Sequence, residues 1–356
     1  MREEATAPWQ ISEDDWPSHG TDEEKLVYLL RWAILAPSSH NSQPWLFRLR
    51  DGRLEIRPDL RRSLAVVDPE DRELVMSCGA ALFHLRVALR RFGHEGTVRT
   101  VTEEGRDHPL APVRAIPDVL ASVGPGGPHD PTDGELRLFR AISRRRTNRQ
   151  PFDDRPVPDA LQADLREAAR AEGAWLEVVT ADDRKGALAD LIAEGDRRQG
   201  ADPRFRKELA AWIHPSRSRS RDGMPGYALD MDDLASLAGP FVVRTFDWGD
   251  RQAARDRQLA EGSPVMAVLG TARDSVPAWL DAGQALDRVL LRAAADGVSA
   301  SFLNQPIEEP DLRPKVRTTV DAPGPPQVVL RMGFGPEVER PTPRRPVEEV
   351  LLDGGG

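Results

Sequence analysis

The sequence predicts an α+β fold built from two similar halves, and three observations carry that reading. At 356 residues the chain exceeds one typical domain. Residues 124–134 (GPGGPHDPTDG) suit neither helix nor strand and divide the chain in two. One helical pattern then recurs on both sides of that divide. Gly79-Ala80-Ala81-Leu82 and Gly283-Gln284-Ala285-Leu286 each open an apolar helix, and the closing glycines, Gly93 and Gly297, share the same offset of 204. Each copy runs through its glycine into a strand-like segment, 97–102 in the first and 298–303 in the second.

The elements follow in order. Residues 1–20 form an acidic tail without the apolar core of a signal peptide, so a cytoplasmic protein is expected. Thr21 and Glu24 have the spacing of a capping box, and Leu26, Leu29, Leu30, Ala33 and Ile34 then repeat at helical spacing. Strands are expected over 45–50 and 53–57, joined by Asp51-Gly52, a preferred pair for a tight hairpin. The helix that follows places Ala81, Leu82, Leu85, Ala88, Leu89 and Phe92 on one face and stops at Gly93. In the second half, a helical segment over 158–173 leads to a strand at 175–180, much as 21–36 leads to 45–50. The expected organisation is a tail (1–20), a first half (21–123), a linker (124–134), a second half (135–351) and a tail (352–356). The second half carries an insertion over 182–263, with a helix at 203–213 and a polar loop at 214–227 that could act as a lid.

Composition removes several classes of function. Hydrophobic residues at 39% and charged residues at 30% describe a globular chain. The longest apolar run, 264–269, is far too short to span a membrane. A net charge of −9 argues against a general nucleic-acid binder, and Ser216–Arg221 (SRSRSR) reads as a short solvated loop. The single cysteine, Cys78, excludes an internal disulfide and reads as a buried hydrophobe on a helix. No metal-ligand cluster or nucleophile triad is evident. Gly333-Phe334-Gly335 lacks the third glycine and the helix of a dinucleotide fingerprint.

Two segments carry chemistry. Ala36-Pro37-Ser38-Ser39-His40-Asn41-Ser42-Gln43-Pro44-Trp45 sits between a helix and a strand and presents a dense row of short hydrogen-bonding side chains. A polar turn is the plainer explanation of such a composition. Arg145-Arg146-Thr147-Asn148-Arg149 brackets a hydroxyl with guanidinium groups, a pattern suited to phosphate. A basic helix terminus answering the helix dipole is the alternative. Pro343-Arg344-Arg345-Pro346 adds two further arginines near the C-terminus.

Together these segments resemble the nitroreductase superfamily. Ala36 to Trp45 is similar to its APSSxNSQPW signature, Arg145 to Phe152 to its R-x-[ST]-x-R signature with the following phenylalanine, and 343–346 to its C-terminal arginine segment. The Acg-like branch, in which two nitroreductase halves share one polypeptide, is similar over roughly 22–351. The segments 68–73, 279–285 and 326–335 are among the matching pieces. The resemblance implies mixed, mostly antiparallel sheets with surrounding helices, arranged as an internal pseudo-dimer. It also implies FMN as cofactor and NAD(P)H as electron donor. Arg145 and Arg344 would hold the phosphate, with Arg345 as the alternative to Arg344. Thr147 would bond the phosphate or ribityl chain, and Arg149 would approach the pyrimidine edge. Pro37, Ser38, Ser39 and Asn41 would line the ring, Gln43 would brace the loop, and Asn304 would pass near the reactive nitrogen. His40 is expected to be a loop residue and not a base.

The loop and the arginines occur once each, in opposite halves. The counterpart positions, 8–16 and 171–174, offer acids and small residues instead. One FMN per chain is therefore expected, in a monomer that imitates a homodimer and binds neither nucleic acid nor membrane. The implied activity is ping-pong reduction of a nitroaromatic, quinone or other small-molecule acceptor. The alternatives are a non-catalytic FMN-storage protein with a covered flavin and a dehydrogenase of one specialised metabolite.

Overall fold

The computed structural model describes residues 3–100, 116–229, 231 and 233–353. The first part of the chain contributes α1 (Glu3–Thr6), α2 (Asp22–Ala33), β1 (Trp45–Arg50), β2 (Arg53–Pro58), α3 (Arg72–Arg91), β3 (Thr97–Thr100) and β4 (Ala121–Gly124). Beyond the linker come α4 (Asp133–Ile142), α5 (Asp159–Arg170) and β5 (Ala174–Val179). The insertion adds α6 (Asp182–Ala201), α7 (Pro203–Trp212), β6 (Ile213–His214), β7 (Met224–Pro225), α8 (Asp233–Thr245) and α9 (Gly249–Glu261). The chain ends with β8 (Val265–Thr271), α10 (Val276–Ala295), β9 (Ser299–Phe302), α11 (Gln305–Glu308), α12 (Arg313–Thr319), β10 (Pro326–Gly333), α13 (Val347–Val350) and β11 (Leu351–Leu352).

The architecture is α+β with two principal sheets. The first runs β11-β1-β2-β4-β3 and is antiparallel except for the parallel β1–β11 pair. The second runs β5-β8-β10-β9 and is antiparallel throughout, where a mixed, mostly antiparallel sheet was expected. Strand β11 is the unexpected member: the last strand of the chain pairs through Phe47 and Arg48 with the first. Residues 101 and 102, expected to end a strand, lie outside the described residues.

Local signals act where the sequence places them. The Thr21 hydroxyl accepts from Glu24 N, and the Glu24 carboxylate accepts from Thr21 N at 2.7 Å, closing the capping box of α2. Leu26, Leu29, Leu30, Ala33 and Ile34 are all buried. Asp51 and Gly52 both take positive φ, which twists the β1–β2 turn in step with its strands.

Helix α3 departs from expectation. Seventeen of its twenty residues are buried, so it is a core helix that meets solvent only at Arg86, Arg90 and Arg91 near its C-terminal end. Its buried polar residues are paired, as burial without a partner would cost several kcal/mol. His84 Nδ1 meets Trp32 O at 2.9 Å, and its Nε2 lies 2.9 Å from Asp287 of α10. Helices α3 and α10 also share their length and begin and end at the same offset of 204. They cross at the matched glycines. A Cβ on Gly79 would stand 2.2 Å from Leu280 O, and one on Gly283 would stand 2.0 Å from Met76 O. Only glycine permits that approach.

Candidate functional site

The segment between α2 and β1 is held open by backbone geometry that L-residues adopt reluctantly. His40, Asn41 and Gln43 have φ of 52°, 54° and 50°. Each such residue costs about 1–2 kcal/mol, so something must offset it. Hydrogen bonds do. Asn41 Nδ2 donates to Gly223 O at 2.9 Å and Pro343 O at 3.1 Å, and its Oδ1 accepts from Arg344. Gln43 donates from Nε2 to Arg221 O at 2.8 Å and from its backbone N to Ser38 Oγ at 2.9 Å. Its Oε1 accepts from Arg345 N at 2.8 Å. Gln43 is fully buried and braces the loop, while Pro37, Ser38, Ser39 and His40 stay partly exposed.

The arginines converge on this loop from the far end of the chain. Arg344 is buried and donates to Asn41 Oδ1, Leu35 O and Ala36 O at 2.8, 3.1 and 3.2 Å. Burial, and then the charges of Arg145 and Arg146, hold its guanidinium well below the usual range. Burial likewise lowers Arg145, and burial with the adjacent Arg145 lowers Arg146 to about 10. Among the described residues none of the three forms a salt bridge, and the Nε atoms of all three lack a hydrogen-bond partner. The Trp9 ring packs against this cluster, 4.0 Å from the Arg146 guanidinium and 4.9 Å from that of Arg344. Arg345 sits elsewhere, donating to Gln43 O and Glu349 O and lying 3.9 Å from Asp59. Of the two alternatives, Arg344 is the one that faces Arg145.

The remaining expected residues are placed as follows. Thr147 bridges in parallel to Ala300 beside β9, which brings 145–149 alongside the second sheet. Arg149 donates to Ala228 O at 3.1 Å. His40 is partly exposed as a residue, but its ring Nδ1 is buried. That burial, with the Arg149 charge, pushes it down to about 4, so His40 is neutral at neutral pH and the two groups are neighbours. Asn304 accepts from Val329 N at 3.0 Å and reaches Glu73 Oε1 at 3.4 Å. Ser39 Oγ donates to the other Glu73 oxygen at 2.5 Å, so Glu73 joins Ser39 to Asn304. The sequence reading gave no role to Glu73, Arg146 or Trp9. Glu73 falls in the segment 68–73, whose similarity to the Acg-like branch was the one available hint.

The rest of the 145–152 motif is structural. Gly333 and Gly335 admit Phe152: a Cβ on either would fall 2.8 and 3.1 Å from its side chain. The SRSRSR loop is also more than solvated surface. Ser216 is buried, and Arg221 O and Gly223 O accept from Gln43 and Asn41. Cys78 is buried against Pro44 O at 3.4 Å, and burial pushes its thiol up, consistent with an inert core residue. Among the described residues no helix is long and apolar enough to cross a membrane, and no cluster of three metal-ligating side chains occurs.

Chemically, the arrangement is a largely buried cationic cluster beside a loop of short polar groups. It suits an anion such as a phosphate.

No family model matches the chain. Curated relatives do. Rv3131 of Mycobacterium tuberculosis (strain H37Rv), provisionally named an NAD(P)H nitroreductase, is 33% identical over 341 residues, covering 94% of this chain and 93% of that protein. The acg protein of the same strain, named in the same way, is 30% identical over 326 residues, covering 90% and 92%. Among solved structures, the FMN and NADPH-dependent nitroreductase NfnB from a Sphigopyxis strain matches at 24% identity with a TM-score of 0.42, over 62% of this chain and 99% of that one. Identity at the level of the first two, across nearly the whole of both proteins, places this chain in the nitroreductase superfamily with the acg protein among its relatives.

Proposed function

We propose that the chain is an FMN-dependent NAD(P)H oxidoreductase that holds one flavin between two nitroreductase-like halves, 21–123 and 135–351. The observation that carries this reading is the cluster of buried Arg145 and Arg344 with half-buried Arg146, none of them in a salt bridge among the described residues. Like charges so close repel strongly, and a phosphate dianion supplies the complement. Arg145, Arg146 and Arg344 would hold that phosphate. Pro37, Ser38, Ser39 and Asn41 would line the ring, with Arg149 and Asn304 approaching it from the second half. Bound there, FMN supplies hydride transfer from NAD(P)H to a nitroaromatic or quinone-type acceptor.

The arrangement as an internal pseudo-dimer draws support from the equal lengths and shared offset of α3 and α10, and from β11 lying in the first sheet. One chain then supplies both sides of the site, and it should sediment as a monomer. FMN-loaded protein is expected to oxidise NADPH or NADH in the presence of menadione or nitrofurazone. Absence of turnover with a bound, intact flavin would count against the enzymatic reading.

A specific observation favours a second reading, flavin storage under a lid. The insertion closes on the loop through Arg221 O and Gly223 O and on Arg149 through Ala228 O. Rapid bleaching of the bound flavin by NAD(P)H would exclude it.

A further inference from the structure

The SRSRSR segment, 216–221, is sorted by residue type. Ser216, Ser218 and Ser220 all line a cavity of about 270 Å³. Arg217 and Arg219 stand exposed, and Arg221 pairs with Glu349 instead. The hydroxyl groups thus face the cavity and the guanidinium groups face away from it.

This cavity adjoins the candidate site. Pro343 lines it, and Pro343 O accepts from Asn41 of the site loop at 3.1 Å. The next residue, Arg344, belongs to the cationic cluster. Tyr227 also lines the cavity, and the carbonyl of the next residue, Ala228, accepts from Arg149 at 3.1 Å.

The lining offers donors, an acceptor and a flat cation. Ser216 is 5% exposed, and its Oγ has no hydrogen-bond partner, a deficit that a ligand oxygen would remove. Ser218 Oγ accepts from Ser220 N at 3.0 Å, which leaves its own proton to donate. Glu339 is exposed and forms no salt bridge among the described residues. Asp222 is already engaged, accepting from Ser220 Oγ at 2.5 Å and from Arg62 at 2.8 Å. The Arg340 guanidinium lies 3.8 Å from the centroid of the Tyr227 ring, and Arg340 is itself exposed.

That set matches a nucleoside. A vicinal diol can donate to the Glu339 carboxylate and accept from Ser216 and Ser218, and acidic side chains hold the ribose of dinucleotides in this way. A planar base can stack on the Arg340 guanidinium. A phosphate on the ribose 2′ oxygen would instead face the carboxylates of Glu339 and Asp222, and like charge disfavours it.

We infer that the cavity receives the adenosine end of the dinucleotide donor and that the donor is NADH in preference to NADPH. This rests on the proposed flavin site, where the nicotinamide end would react. Glu339 and Ser216 are then specificity residues that hold the donor away from its reacting atoms.

Calorimetric titration of the flavin-free full chain with 5′-AMP, 2′-deoxy-5′-AMP and 2′,5′-ADP tests the cavity by itself. The chain should bind 5′-AMP, and the other two at least about tenfold more weakly. Glu339→Gln should weaken 5′-AMP by about tenfold, the loss of one charged hydrogen bond. In FMN-loaded protein, half-maximal flavin reduction should need at least about tenfold less NADH than NADPH, and the two should converge in Glu339→Gln. No binding of 5′-AMP, or equal or tighter binding of 2′,5′-ADP, would overturn the inference and leave the flavin site standing. Binding of 5′-AMP by a chain that takes up no FMN would overturn the flavin reading and with it the donor role of the cavity.

Discussion

Helices α2 and α5 are both twelve residues long, and each leads into a six-residue strand, β1 in the first sheet and β5 in the second. What differs is the connection. Residues 34–44 join α2 to β1 and contain three non-glycine residues at positive φ, of which Asn41 and Gln43 are tied down by hydrogen bonds to distant parts of the chain. Residues 171–173 join α5 to β5 with a single turn through Gly173 at φ 76°. The helix and strand lengths match, but one junction is long and filled with polar groups while the other is minimal. Strain and polarity are concentrated at one of the two junctions, as expected where a ligand is held.

The comparison can be broken in several places, beginning with the largest effect. Asn41→Ala should destabilise the chain by about 2–4 kcal/mol in chemical denaturation, because Gly223 O, Pro343 O and the Arg344 guanidinium all lose a buried partner. A cost below about 1 kcal/mol would show that the long junction is not held by these bonds. Next, Arg145→Ala should weaken FMN binding by about tenfold or more, from about 1.5–3 kcal/mol for a charged hydrogen bond. Isothermal titration would check it, and unchanged affinity in a folded variant would remove Arg145 from the phosphate site.

Smaller effects separate the junctions further. Gly173→Ala should cost about 1 kcal/mol, since alanine must adopt the left-handed region there, and should leave FMN affinity alone. The long junction should also carry a pH signature. His40 is held at about 4 when folded and lies near 6.5 when unfolded, so the unfolded chain takes up a proton first as pH falls. Stability is therefore present above about 6.5 and lost progressively towards 4. Thermal melts of His40→Asn should show a shallower loss across that window, and an identical slope would contradict the assignment.

Much of this was legible because the signals are local. The α2 capping box, the Asp51-Gly52 hairpin and the apolar face of α2 depend on residues a few positions apart. The 36–45 loop and 145–149 stood out because short polar groups and arginines cluster there. Long-range placement was not legible. Two residues, Leu351 and Leu352, carry too little pattern to announce that they join the first strand of the chain. The burial of α3 was hidden because Arg72, Glu73 and His84 look like a solvent face, and only their partners Gln327, Ser39 and Asp287 make them tolerable inside. The docking of 221–228 onto the loop depends on backbone carbonyls, whose identity the sequence does not encode.

The asymmetry between the two junctions is most directly tested by counting flavin. Purified protein, saturated with FMN and freed of excess, should show an oxidised flavin spectrum with one FMN per chain by absorbance. Two FMN per chain would mean that the short junction also builds a site, and none would mean that the buried arginines serve another anion.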